Sequence, residues 1–250
     1  HTNWTEESKE GNAPRIVTTP EHYAYLRISE GCDNNCTYCV IPEMQGPYRS
    51  KTIEQIKEEA VLLAENGVTE LILVAQDTSY YGKDLYGRVA LVDLLKELAA
   101  IPQVRWIRLL YAYPNNFDDE MIDYIASEEK ICKYLDIPLQ HGDDEVLKRM
   151  NRKITVEEIK TLIQKLRSRM PDITLRSTFI VGFPGETEED FQDTMDVVRQ
   201  VEFDNAFTFI YSKRTGTPAA AMENQCDEKE VKCHFDRLLK EVSEISKSPS

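Results

Sequence analysis

Apolar residues recur along this chain with two alternating periods. Short runs rich in β-branched and aromatic residues fall at 23–29 (YAYLRIS), 69–75 (TELILVA), 104–110 (VRWIRLL), 134–139 (YLDIPL), 174–182 (TLRSTFIVG) and 205–211 (NAFTFIY). Such runs, bounded by polar turn formers, predict strands. Between them, 52–66, 89–100, 118–127, 155–170 and 188–201 carry apolar residues at spacings of three and four, as in Ile53, Ile56, Ala60, Leu63 and Ala64. That period predicts amphipathic helices. Their starts are marked: Thr155 with Glu158 reads as a capping box, Asp118 precedes Met121 by three, and Thr187 opens an acidic first turn.

Regular strand–helix alternation predicts an α/β fold, a parallel sheet with helices outside. Six units suit a partial (β/α)6 barrel better than a closed eight-fold one, which typically takes about 250 residues for itself. Right-handed crossovers place the C-terminal ends of all strands on one rim, where ligands bind in such folds. Residues 1–20 are polar and without period, so they read as a linker arm, leaving 21–250 as one domain.

Composition narrows the classes. A chain of 250 residues with 41% hydrophobic and 30% charged side chains is that of a soluble globular protein. No apolar run approaches the roughly 18 residues of a membrane span, and the N-terminus lacks the order of a signal peptide. Cys132, Cys226 and Cys233 are scattered, which predicts a reducing, cytoplasmic setting rather than a disulfide scaffold. The formal net charge of −14, from 44 acidic and 30 basic residues, disfavours a large nucleic-acid surface. A solubilising surface accounts for it more simply.

The remaining cysteines are different. EGCDNNCTYCVIP places Cys32, Cys36 and Cys39 after the first strand, spaced C-x3-C-x2-C, with Tyr38 just before the last. Thiolates at this density select zinc, Cu(I) or iron–sulfur. Structural zinc takes four ligands, usually two pairs, and no second pair lies nearby. A cubane iron–sulfur cluster takes four cysteines, so three leave one iron without a protein ligand.

Other polar residues follow the other strands. Gln76, Asp77 and Thr78 come after the second, although Asp and Ser are common turn formers. Gln140 and His141 come after the fourth, where a lone His reads first as a structural hydrogen bonder. The basic residues Lys148, Arg149, Arg152 and Lys153 read as a solvated helix end. RSTFIVGFPGETEEDF, 176–191, joins a strand to a helix through Gly182, Pro184 and Gly185, and YSKRTGTPA, 211–219, follows the last strand.

Together, ISEGCDNNCTYCVIP, DIPLQH, FIVGFPGETEEDF and YSKRTGTPAA resemble the methylthiotransferase branch of the radical-SAM superfamily over about 23–240. DIPLQH is similar to the RimO type, which modifies the β-carbon of an aspartate in small-subunit ribosomal protein twelve. The MiaB type, acting on isopentenyl-adenosine in tRNA, tends to carry P-x-Q-S-G-S there. The resemblance implies a radical-SAM partial barrel in which Cys32, Cys36 and Cys39 hold a 4Fe–4S cluster whose open iron chelates S-adenosylmethionine. An external electron donor would reduce it, yielding a 5′-deoxyadenosyl radical. The same resemblance implies cofactor contacts from Gln76, Asp77, Thr78, Gln140, Arg176, Gly182, Gly185 and Tyr211, with Arg176 at the methionyl carboxylate and no catalytic side chain beyond the cluster ligands. Family members carry an N-terminal domain with a second 4Fe–4S cluster and a C-terminal β-barrel. Neither is matched here, so the resemblance implies a central domain competent for cofactor cleavage only. A tRNA methylthiotransferase and a non-enzymatic iron–sulfur carrier are the alternatives.

Overall fold

In the computed structural model, residues 20–246 are described; the linker arm expected over 1–20 lies outside them apart from Pro20. Six parallel strands form β1 (Tyr23–Arg27), β2 (Glu70–Val74), β3 (Trp106–Leu109), β4 (Tyr134–Asp136), β5 (Thr174–Val181) and β6 (Asn205–Ile210). They pair as β1–β2–β3 and β4–β5–β6. A parallel bridge from Ile107 to Ile131 joins the two sheets. Strand order therefore follows the sequence. Among the described residues no ladder joins β1 to β6, so the barrel is partial, as predicted.

The expected strand over 134–139 stops as a regular ladder at Asp136. Pro138 has no N–H to donate, and Leu139 N turns to the Ser177 hydroxyl at 3.3 Å. Gln140 then rejoins β5 through Thr178 O at 2.8 Å, with φ at 78°.

Among the described residues the helices of six residues or more are α1 (Ile53–Glu65), α2 (Leu91–Ala99), α3 (Asp119–Ser127), α4 (Asp144–Arg149), α5 (Val156–Arg169), α6 (Glu188–Val201) and α7 (Glu228–Ile245). Capping boxes open α1, α5 and α6 at Thr52, Thr155 and Thr187, and Asp118 caps α3. Such a cap satisfies N–H groups that a helix leaves without partners, typically contributing about 1 kcal/mol. The periodic runs leave out α4 and α7, which Asp143 and Asp227 cap. Among the described residues no helix is long and apolar enough to cross a membrane.

Alternation along each strand divides the two faces. Ala24, Leu26, Leu71, Leu73, Ile107, Leu109, Leu135, Leu175, Phe179 and Val181 are buried against the helices and form the main core. Residues between them face inward. There Glu70 pairs with Arg108 at 3.0 Å, Arg108 and Arg176 lie over the Tyr134 ring at 5.1 and 5.7 Å, and Arg176 pairs with Asp136 at 2.6 Å. This polar and aromatic lining crosses from one sheet to the other, so the inner face is continuous.

Candidate functional site

The cysteine loop leaves β1 through a two-residue antiparallel ribbon, Ser29–Glu30 against Arg49–Ser50. Gly31 turns the chain with φ at 73°, and a Cβ there would fall 2.1 Å from the Pro47 carbonyl oxygen. Only glycine fits so close a backbone crossing. Asp33 accepts from Tyr48 N at 3.0 Å, and Cys32 N donates to Gly46 O at 3.3 Å. Thr37 fastens the far side, donating to Met150 O at 3.0 Å and, through its hydroxyl, to Arg149 O at 2.9 Å.

A small second core explains why distant rim loops meet here. Val146, Met150, Phe183 and Ala219 are buried together, and Tyr38, Ile180, Tyr211 and Met222 pack on them. The loops after β1, β4, β5 and β6 thus share one apolar seat beneath the cysteines. Tyr38 in the cysteine loop is its contribution from β1's side.

Cys32, Cys36 and Cys39 are half-buried free thiols. Burial pushes the Cys32 thiol up to about 11 and raises Cys39 as well, and Cys36 adds a like-charge contribution to both. The three are near enough to sense one another, and they bind a metal only as thiolates, releasing their protons to solvent. Among the described residues no three His, Cys, Asp or Glu side chains converge as ligands of a single ion do. Three thiols spread along one loop suit a polynuclear centre, where each meets its own iron.

Gln76 lines a cavity of about 550 Å³ at the C-terminal ends of β1 and β2, together with Arg27, Ser29, Gln45, Val74 and Tyr111. Asp77 and Thr78 turn away from it and are buried. Asp77 Oδ1 accepts from Ser79 N at 3.1 Å, the Ser79 hydroxyl at 2.6 Å and Tyr113 N at 3.2 Å. Its Oδ2 accepts from Asn34 at 3.1 Å. Asp77 therefore ties the cysteine loop to the loops after β2 and β3.

Arg176 stands five residues before the C-terminal end of β5, roughly 16 Å down the strand at 3.3 Å per residue. It lies on the floor of the inner face, below the rim, over the Phe207 ring at 4.8 Å. Asp136 Oδ1, Arg176 Nε and Gln140 Oε1 are buried atoms without a hydrogen-bond partner among the described residues. Buried polar atoms are ordinarily satisfied, so the inner face retains unused capacity for a polar ligand.

The GFPGE turn is held from behind. The Glu186 side chain is buried, and its carboxylate accepts from Gly182 N at 3.0 Å, His141 Nε2 at 2.8 Å and His234 Nδ1 at 3.2 Å. His141 Nδ1 accepts from Asp143 N at 3.0 Å, which leaves the proton on Nε2 to donate to Glu186. His234, on α7, stacks on Phe191 with centroids 4.1 Å apart. A Cβ at Gly182 would meet Val231 of α7 at 2.6 Å. The close approach that glycine permits at 182 is thus taken by the terminal helix. Gly185 N donates to Asn224 O at 2.6 Å, and Tyr211 continues the β6 pairing from Val181 O at 2.8 Å.

Two contributors escaped the sequence reading. Arg152, expected on a solvated helix end, is 6% exposed and approaches Cys36; no neighbouring residue type marks it. Glu186 sits in an acidic stretch that reads as ordinary helix capping, and only the fold shows its carboxylate turned inward.

Comparison with known proteins places this geometry. Residues 26–198 match the family model of the radical SAM superfamily. A ribosomal protein uS12 methylthiotransferase RimO from Desulforamulus reducens is 48% identical over 237 residues, covering 95% of this chain and 53% of that protein. The RimO of Acetivibrio thermocellus is 53% identical over 214 residues, covering 86% and 47%. The chain spans about half the length of the curated relatives it matches. Among solved structures, the methyltransferase TsrM from Kitasatospora setae, with cobalamin and a [4Fe-4S] cluster bound, superposes with a TM-score of 0.66 at 18% identity, covering 83% of this chain and 42% of that one. Coproporphyrinogen III oxidase HemN from Escherichia coli gives 0.65 at 18%, covering 90% and 53%. At those identities the likeness is one of fold.

Proposed function

The chain belongs to the radical SAM superfamily, and from that premise we propose that Cys32, Cys36 and Cys39 hold a 4Fe–4S cluster beside a binding site for S-adenosylmethionine. The observation that carries this reading is the loop itself: three half-buried free thiols within eight residues, spaced C-x3-C-x2-C after the first strand. The chemistry such a cluster supplies is one-electron reduction of the bound sulfonium, which requires an external electron donor.

The chain's own residues bind, orient and exclude. Gln76 offers an amide to the cofactor in the cavity at the C-terminal ends of β1 and β2. Gln140, with a buried oxygen free to accept, and the turn from Gly182 to Gly185 edge the same rim, and Tyr211 closes it beyond β6. Arg176 and Asp136 lie beneath, where a substrate entering the barrel would meet them. The apolar seat under Tyr38 keeps water from the underside of the loop.

The substrate we infer is an aspartate side chain of the small-subunit ribosomal protein, to which a methylthio group is added. Support comes from the curated relatives, which are named for that activity. Because they extend over about twice this length, methylthiolation is ascribed to the whole protein, which would also carry a second cluster. Residues 21–250 are its radical domain, working in the reducing cytoplasm.

Anaerobic reconstitution with iron and sulfide tests this. With a reductant and S-adenosylmethionine, the protein is expected to release 5′-deoxyadenosine, and Cys36→Ala to release none. A fully loaded protein that releases none would instead be an electron carrier, and product from Cys36→Ala at the parent rate would overturn the ligand assignment. With the full-length protein, a peptide bearing the target aspartate should gain the methylthio group; modification of a tRNA in its place refutes the substrate.

A further inference from the structure

The basic stretch after α4 ends in a side chain that does not reach solvent. Asn151 adopts φ 56°, and Arg152 N donates to Leu147 O at 2.8 Å. This is the left-handed turn that commonly closes a helix, and it sends Arg152 inward instead of along the surface. The guanidinium lies over the Tyr113 ring, 4.1 Å from its centroid, and Nη2 donates to the Pro138 carbonyl. Nη1 points at Cys36 Sγ from 3.9 Å, and Nε has no partner.

A guanidinium stays charged throughout the working pH range. Burying a cation is costly unless an anion accompanies it. Yet among the described residues no carboxylate lies within 4.0 Å of Arg152. The group it faces is a cysteine sulfur, which becomes anionic on binding iron. The other cation acting on the trio, Arg214 near Cys39, is exposed and acts through solvent, which screens it. Arg152 alone of the two acts from inside the protein.

We propose that Arg152 is a positioning residue that orients Cys36 through a charged N–H···S contact and raises the reduction potential of the cluster. Hydrogen bonds to ligand sulfurs and nearby charge are the means by which a protein sets such potentials. A buried cation stabilises the reduced, more negative state over the oxidised one. Stacking on Tyr113 and the bond to Pro138 fix the fork, so little ordering remains when the thiolate forms. This inference rests on the cluster reading above.

The test is an EPR-monitored redox titration of the anaerobically reconstituted protein. Arg152→Gln is expected to lower the midpoint by about 59 mV or more, a tenfold change in a one-electron equilibrium. Arg152→Lys, which keeps the charge, should retain most of the parent value. An unchanged potential in a loaded Arg152→Gln overturns the proposal. Should that variant fail to load, parent protein labelled with guanidino-15N arginine provides the second reading. Pulsed EPR of its reduced cluster is expected to show a nitrogen coupling, and absence of the coupling refutes the contact. Failure of the parent protein to take up iron and sulfide refutes the cluster reading itself, before any variant is made.

Discussion

Replacing Gly31 by alanine should separate two costs that glycine avoids. The added Cβ would fall 2.1 Å from Pro47 O, 2.6 Å from Gly46 O and 2.7 Å from Pro47 C. All three are backbone atoms of a segment pinned by the ribbon to Ser29–Glu30 and by Tyr48 N on Asp33, so relief requires moving the loop as a whole. A non-glycine residue at this positive φ costs roughly 1–2 kcal/mol, and overpacking typically adds about 1–3 kcal/mol. The expected loss is therefore about 2–5 kcal/mol, or roughly 0.7–1.7 M in urea midpoint at an m-value near 3 kcal/mol/M. Gly67 is the control: its φ is 97°, and nothing lies within 4 Å of a Cβ there. Gly67→Ala should lose the conformational part alone, roughly 0.3–0.7 M. Urea unfolding of the metal-free proteins measures both, and iron uptake after reconstitution should fall for Gly31→Ala only. Equal midpoints for the two variants, or undiminished iron in Gly31→Ala, would refute the claim that this crossing sets the place of Cys32.

Two further outcomes are expected from the buried carboxylates. In Glu186→Gln, Gly182 N and His141 Nε2 meet opposite oxygens, but an amide has one; a buried donor is left unpaired at about 1–3 kcal/mol, and an unchanged urea midpoint would contradict this. Burial holds the Asp77 carboxyl above its ordinary 3.8, so the folded state binds that proton more tightly than the unfolded. The stability it contributes is complete below that value and is lost as pH rises through the raised one. The difference in unfolding free energy between the parent and Asp77→Asn should accordingly decline with rising pH across the acid range, and a flat or rising difference rejects the assignment.

The architecture was legible where a physical rule acts locally. Alternation in TLRSTFIVG marks β5 because one face must be buried, and Thr155 with Glu158 marks α5 because free N–H groups need acceptors. Pro138 shows the limit: its missing donor forbids a regular ladder, yet the chain resumes pairing at Gln140, which no local rule foretells. The cysteine trio was legible because its spacing is itself the chemistry. Its supports were not. Asp77 reads as a rim donor and Arg152 as a surface cation until the turns at Ser79 and Asn151 fix their directions. The role of Gly182 depends on Val231, which lies 49 residues away in sequence.

His141 distinguishes DIPLQH from the signature of the tRNA-directed type, and it is 1% exposed. Its ring is engaged by Glu186 and Asp143, and the next residue, Gly142, lies so near α6 that a Cβ would come within 2.4 Å of Thr194 Cα. The letters that tell the two types apart are thus written in the masonry, not on the doorway. Replacing His141 would disturb the brace behind the GFPGE turn. The open inner wall is built otherwise: there Trp106, Tyr111, Phe207 and Phe209 stand exposed, unlike the buried His141 ring.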